Sequence, residues 1–313
     1  MASLPSSYNA LRFSTLAGPL TIESKPISTL QTASTLLIRV HYASINPVDT
    51  QLWRAGIVSV VSGEKGMGRD FSGNIVAIGD RVKGNWSIGD EVFGLLFQAF
   101  GQGTFGQYIA VDPASDPVVK KPDSLSHEAA ASIPLVALTA FACLDWLPEN
   151  GSTSQRKVIV RGASGGSGSW VVQYYTIQPV LQTLVDSRAS GGEYDLIVDC
   201  TQLVHKKGAY VTIVGDKTDV KGLGGPVTYF KSPAQIWRYI SGWIWGPRYA
   251  CVSLYNKSEY LQKVVGLAER GELKVEIQEI IKDALNEDKE GWKRAIELIE
   301  SARVRGKVVL EIL

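Results

Sequence analysis

The sequence predicts an α/β protein in which an irregular β region precedes a region of strands alternating with helices. Three observations carry this. Residues 8 to 120 are short β-branched runs broken by Gly and Pro, among them "LLIRVHYASI", "FSGNIVAIG", "DEVFGLL" and "FGQYIAV". The pattern changes at Ser126, where "SHEAAASIPLVALTAFACLDWL" becomes Ala-rich with helical period. Finally, "VIVRGASGGSGSWVVQ", residues 158 to 173, runs from β-branched residues through four glycines into an apolar stretch, a strand, turn and helix in sequence.

The elements follow in order. Ser126 is placed to cap the first helix, with Pro122 closing the loop before it, which sets a domain boundary near residue 125. Beyond that helical stretch, "KVIV", "YDLIVDC", "GAYVTIVG" and "YACVSL" read as strands and "SWVVQYY" as helix, the alternation of an α/β unit. The helical "EYLQKVVGLAERGE" leads to a short "LKVEIQE", then to a helix with Trp292, Ile296 and Ile299 on one face, then to the terminal strand "GKVVLEIL". No internal repeat or low-complexity tract interrupts this order.

Composition narrows the function classes. The chain has 313 residues, 45% of them hydrophobic, enough for about two cores. A net charge of +1 with scattered Lys and Arg gives no footprint for nucleic acid or an anionic membrane surface, and points to small uncharged partners. Cys143, Cys200 and Cys251 are odd in number and far apart, which argues against a disulfide framework and for a reducing compartment. No run reaches the roughly 18 apolar residues of a membrane span, and the start "MASLPSSYNALRF" has neither a signal h-region nor repeated arginines, so the expected location is cytoplasmic.

The glycine stretch admits two chemistries. Gly162-Ala-Ser-Gly165-Gly166-Ser-Gly168 between strand and helix aims backbone N–H groups at a ligand, and its glycines let a pyrophosphate approach. Gly162 to Gly166 also spell G-x-S-x-G, which would make Ser164 a hydrolase nucleophile with Asp199 and His205 as partners. Those partners are only six residues apart, and no HGGG-type stretch precedes the serine. Gly168, one turn into the helix, serves close packing in a dinucleotide site and has no role in a nucleophile elbow. A glycine turn with no ligand is the bland alternative.

At this point the chain resembles the medium-chain dehydrogenase/reductase superfamily, in its zinc-independent quinone oxidoreductase (zeta-crystallin-like) and enoyl reductase branch. The matching stretches are "VHYASINPVDTQLWRAG" (40 to 56), "GRDFSGNIVAIGDRV" (68 to 82), "IGDEVFGL" (88 to 95), "GTFGQYIAV" (103 to 111), "KKPDSLSHEAAASIPLVALTAF" (120 to 141), the glycine stretch, "YDLIVDC", "GAYVTIVGD" and "ARVRGKVVLEI" (302 to 312). The resemblance implies a GroES-like β domain of residues 1–125 and 272–313, and a Rossmann-type cofactor domain of residues 126–271. NADPH would lie in the cleft, and its hydride would pass to a quinone or an α,β-unsaturated carbonyl, a chemistry that suits secondary metabolism.

The resemblance also assigns residues. Asn46 and Asp49 of "NPVD" would line the nicotinamide cleft as catalytic residues, and Thr139 would contact the nicotinamide. Ser164, Gly165, Gly166, Ser167 and Gly168 would hold the pyrophosphate, with Gly215 and Lys307 bordering the cofactor. Each has a plainer reading: Asn46-Pro47 as a simple turn, Thr139 as helix packing, Lys307 as a solvated charge. Zinc-dependent members use an early Cys and a Gly-His-Glu; here the equivalent reads "GMGRDFSG", no Cys precedes Cys143, and His41, His127 and His205 lack ligand spacing. No metal is expected. Without one, hydride transfer needs orientation and donors near the carbonyl oxygen more than a strong acid.

One departure from the family is plain. Asp195 lies only 27 residues after Gly168, whereas one strand-helix-strand unit takes about 30 or more. The second strand, its helix and the third strand are therefore expected to be deleted, and the domain is shortened between 178 and 208. "PVLQTLVDSR" could supply the second strand, with Asp186 21 residues after Gly165 and Arg188 nearby for a 2′-phosphate. Against that, Val180, Leu181, Leu184 and Val185 recur at helical spacing behind Pro179, which favours a helix. With a helix there the adenosine pocket is incomplete and NADPH binding is weak or lost.

The aromatic stretch "SPAQIWRYISGWIWGPRYACVSLY" has three readings. Trp237, Tyr239, Trp243 and Tyr249 could wall a substrate site or meet a partner subunit in a homodimer, lie in a membrane plane, or fill a core. The first is favoured, with Trp243 and Tyr249 as substrate residues. Against the reductase stand a family member that keeps the fold but binds no dinucleotide, acting as a scaffold or cofactor-free isomerase or cyclase, and the Ser164 hydrolase.

Overall fold

The computed structural model describes residues 4–54, 65–98, 100–147, 158–160, 162–177, 194–198, 204–216 and 222–313. The chain divides into two compact units, Met1–Leu135 with Asn256–Leu313, and Val136–Tyr255. The sequence places the breaks at 125 and 272; the second differs because the helical segment after residue 256 packs on the first unit, where the Val118 N–H donates to Ser258 Oγ at 3.2 Å.

The first unit starts with a hairpin of β1 (Ser7–Phe13) and β2 (Leu20–Pro26), paired from Ser7 opposite Pro26 to Phe13 opposite Leu20. Next come β3 (Leu36–Ile45), α1 (Pro47–Arg54), β4 (Asp70–Ile78), β5 (Glu91–Leu95), β6 (Tyr108–Val111) and β7 (Val118–Lys120). After the second unit the chain returns through α6 (Ser258–Glu269), β12 (Ile277–Ile281), α7 (Gly291–Glu300) and β13 (Lys307–Glu311). Among the described residues the main sheet runs β12-β13-β3-β4-β5-β7, with β6 also paired to β3. Only the β12–β13 pair is parallel. The terminal strand is thus an interior member of the sheet.

The alternating runs explain this architecture. In β3 the buried Leu36, Ile38 and Val40 join Phe71, Ile75, Phe105, Ile109 and Leu310 in one core. Trp292 and Ile296 of α7 close it, and Ile299 packs at its margin, which is the face read from their spacing. Removing this apolar surface from water, at about 25 cal/mol per Å², is the main term holding the unit together.

The helical stretch from Ser126 is two helices rather than one. Ser126 Oγ accepts from Ala129 N at 3.3 Å and caps α2 (His127–Ala131); α3 (Pro134–Leu144) then starts afresh. Pro134 has no N–H to continue α2, so it opens a new helix at a first-turn position.

In the second unit β8 (Val158–Val160), α4 (Gly166–Ile177), β9 (Tyr194–Val198), β10 (Val204–Thr212), α5 (Pro233–Ile244) and β11 (Arg248–Cys251) follow. Among the described residues the strands form one parallel sheet in the order β11-β10-β9-β8. β8 is therefore its outer described strand. Asp186 and Arg188, on which the strand-or-helix question turned, lie outside the described residues.

Candidate functional site

A buried polar cluster in the first unit is set by strand register. Ser44 pairs with Asp70 across β3 and β4, and Ile45 pairs with Val308, which brings Lys307 beside Asn46. Ser44 Oγ donates to Asp70 Oδ2 at 2.8 Å, Asn46 Nδ2 to the same oxygen at 2.9 Å, and the Leu135 N–H to Asp70 Oδ1 at 2.9 Å. The Lys307 ammonium donates to Asn46 Oδ1 at 2.5 Å and lies 3.3 Å from Asp70 Oδ2. Asp70 and Ser44 are fully buried, and Asn46 and Lys307 nearly so. Lys307 is thus a buried partner and not a solvated charge, and Asn46 is more than a turn residue.

The motif "NPVD" also builds its own helix start. Asn46 precedes Pro47 at the first position of α1, and the Asn46 N–H donates to Asp49 Oδ2 at 2.7 Å, half of a capping box. The other oxygen, Asp49 Oδ1, is buried with no hydrogen-bond partner among the described residues. Burial pushes the Asp49 carboxyl up to about 7, against the Asn46 N–H and the Arg69 and Lys307 charges, which lower it. Arg69 is also buried, and burial lowers its pKa. It donates to the Phe97 carbonyl, while its Nε has no partner among the described residues.

Asp49 and Arg69 both line a cavity of about 350 Å³, with Phe13, Trp53, Met67 and Gln98 also on its wall. The sequence reading named Asn46, Asp49 and Lys307 but missed Ser44, Arg69 and Asp70 as site members. Arg69-Asp70 had drawn notice only as the stretch lacking zinc ligands. Among the described residues no group of three His, Cys, Asp or Glu side chains converges.

In the second unit the glycine turn has the expected form. Gly162 takes a left-handed φ of 71°, the Gly165 N–H closes the turn onto the Gly162 carbonyl at 2.9 Å, and α4 starts at Gly166. A Cβ on Gly168 would meet the Gly162 oxygen at 2.1 Å, so only glycine fits there. Gly166, Ser167 and Gly168 are the first three residues of α4, and their N–H groups have no intrahelical acceptor. With the helix dipole, this seat suits a pyrophosphate. Ser164 is exposed, and the left-handed residue of the turn is Gly162, so Ser164 lacks the strained setting of a nucleophile elbow. Asp199 and the side chain of His205 lie outside the described residues.

The remaining candidates fall in different places. Thr139 is buried in α3. Gly215, φ 67°, follows β10, and its position is pressed on by Thr228 Oγ1, 2.1 Å from where a Cβ would be. Tyr249 is buried, stacked on Tyr210 at 5.4 Å with the Arg238 guanidinium over its ring. Trp243 is 57% exposed on α5. Neither lines the second unit's pocket of about 520 Å³, which is walled instead by Trp146, Tyr229, Ile236, Tyr239, Cys251 and Tyr255. Core filling describes Tyr249 but not Trp243.

Comparison with known proteins agrees with this layout. Residues 32–123 match the alcohol dehydrogenase GroES-like domain. The chain is 32% identical over 179 residues to Protein AST1 of Saccharomyces cerevisiae, 55% of this chain and 42% of that one. It is also 32% identical over 192 residues to the human NAD(P)H oxidoreductase RTN4IP1, mitochondrial, 56% of this chain and 44% of that one. It thus spans less than half the length of these relatives. In fold it is similar to the quinone oxidoreductase from Coxiella burnetii, with a TM-score of 0.73, 21% identity, and 98% and 100% of the two chains covered.

The architecture is therefore the two-domain α/β one of dehydrogenases and reductases, with a GroES-like domain in the first unit. Within that class the matches support the resemblance to the quinone oxidoreductase-like branch of the medium-chain dehydrogenase/reductase superfamily.

Proposed function

We propose that the protein is a zinc-independent, nicotinamide-dependent reductase of a quinone or an α,β-unsaturated carbonyl. The observation that carries this reading is the glycine turn before α4, where Gly168 leaves no room for a Cβ and three helix-terminal N–H groups face outward for a diphosphate. When bound, the nicotinamide supplies the hydride. The chain's own residues orient the acceptor and manage a proton.

Asp49 is suited to that proton. Asp49 lines the cavity, its second oxygen is buried without a partner among the described residues, and a carboxyl held near 7 is protonated in part at neutral pH, which suits it to protonate a developing enolate or quinol oxygen brought against it. Asp70, Asn46, Ser44 and Lys307 fix the start of α1 and hence its place. Arg69 lines the same cavity and has a buried Nε, unpartnered among the described residues, which makes it the candidate donor for the acceptor's carbonyl oxygen.

A second reading keeps the fold without the dinucleotide. It is favoured by the spacing of the sequence, in which Asp195 follows Gly168 by only 27 residues, too few for the second strand, its helix and the third strand. Titration with NADPH and NADH, followed by nicotinamide fluorescence, separates the two. The reductase reading expects micromolar binding, and Ser167→Glu, which sets a negative charge against the pyrophosphate, weakens it about tenfold or more. No binding of either nucleotide at millimolar concentration leaves the second reading.

A further inference from the structure

Helix α5 carries its amphipathic pattern the wrong way round for a helix on a core. The residues that face inward are Gln235, fully buried, and Gly242. Gln235 Oε1 accepts from the Asp216 N–H at 3.0 Å, and its Nε2 lies 2.8 Å from Thr228 Oγ1. A Cβ on Gly242 would fall 2.6 Å from the Pro247 carbonyl oxygen, so the helix is seated closely on that side. The outward arc is Ile236, Trp237, Ile240, Trp243 and Ile244, spaced as one helical stripe. Trp237 is 62% exposed, Ile244 62%, Trp245 just beyond the helix 63%, and Phe230 just before it 91%. Surface apolar residues are normally scattered; a contiguous stripe opposite a satisfied polar face marks a binding surface.

We propose that this face of α5, with Phe230 and Trp245, seats on an anionic lipid surface. Charge complementarity selects that occupant. Residues 222 to 255 contain Lys231, Arg238 and Arg248 and not one Asp or Glu. Arg238 is paired with Asp216, while the Arg248 guanidinium stands over the Trp243 ring at 5.4 Å, at the margin of the stripe where a lipid phosphate would lie. A second copy docked through a two-fold axis would meet the same cations face to face. The tryptophans suit the headgroup boundary, where an apolar ring carrying one N–H is favoured. At 12 residues α5 is about 18 Å long, too short to cross a hydrocarbon core of about 30 Å, so it lies in the surface plane.

The test is co-sedimentation of the full chain with phosphatidylcholine vesicles, with and without phosphatidylserine, at low and high salt, alongside Ile240→Asp and Ile244→Asp. Both positions are exposed, so both variants should melt as the native chain does. The proposal expects pelleting with the phosphatidylserine vesicles, weakening as salt rises, and a loss of about tenfold or more in partitioning for each variant. Absence of binding to either vesicle overturns it. So does binding that both variants retain, or a dimer in light scattering that Ile240→Asp splits while vesicles are ignored, which would assign the face to self-association.

Discussion

Asp70 and Asp49 are both carboxyls removed from water, and their surroundings treat them oppositely. Asp70 receives three neutral donors and an ammonium, so its charge is matched inside the fold. Asp49 receives one N–H and keeps a bare oxygen, and its carboxyl sits near 7 rather than 3.8. Because the folded-state pKa is raised, the folded chain binds the proton more tightly than the unfolded chain. Stability from this group is full below the unfolded pKa and is lost as pH rises through the folded value. The penalty above neutrality is at most about 4 kcal/mol. Asp49→Asn, whose side-chain oxygen can still accept from Asn46, should raise the melting temperature at pH 8, with the gain shrinking toward pH 4. Equal shifts at both pH values would show that Asp49 does not titrate as described. The same substitution should abolish the proton step if Asp49 performs it. Asn46, Asp49 and Lys307 could be named from short motifs, but their meeting could not: 261 residues separate Lys307 from Asn46, and only the β13–β3 register joins them. Ser44 and Asp70 escaped notice because each looks ordinary until the pairing across β3 and β4 sets them opposite one another.

Elements with a strong local signal were legible, and those decided by partners were not. The glycine turn is legible as strand, turn and helix because two of its glycines answer a local need, a positive φ at Gly162 and a close approach at Gly168. The Ala-rich run after Ser126 read as one helix because its period continues through Pro134, although the proline's missing N–H divides it. For α5 the cluster of aromatic residues is visible in the sequence but its direction is not, since composition shows that apolar rings are gathered and not which way they point. Gly168→Val tests the turn as an element. Its Cβ would collide with a carbonyl rather than with a movable side chain, so overpacking should cost about 2 kcal/mol or more and pull α4 away from β8. Urea unfolding followed by circular dichroism measures that loss, and a native midpoint would show that the turn can give way.

At the scale of the whole molecule, the two units draw on different kinds of contact. The first is built on a mainly antiparallel sheet that takes in the chain's last strand, with one large apolar cluster and a smaller one around Tyr8, Ile27 and Leu37. The second is a parallel sheet in which β8 is the outer described strand and the glycine turn opens the following helix. Units held by separate sets of contacts need not melt together, so calorimetry of the full chain should resolve two transitions, and a single van't Hoff enthalpy should not describe both. A nicotinamide dinucleotide that binds the glycine turn stabilises what it touches. At a hundred times its dissociation constant it contributes about 2.7 kcal/mol, which belongs to the transition that Gly168→Val lowers. If NADPH instead raises the other transition, or both equally, the nucleotide is held by something besides this turn. If it raises neither while vesicles still bind, the second unit has kept its sheet and its lipid-facing helix and given up the cofactor.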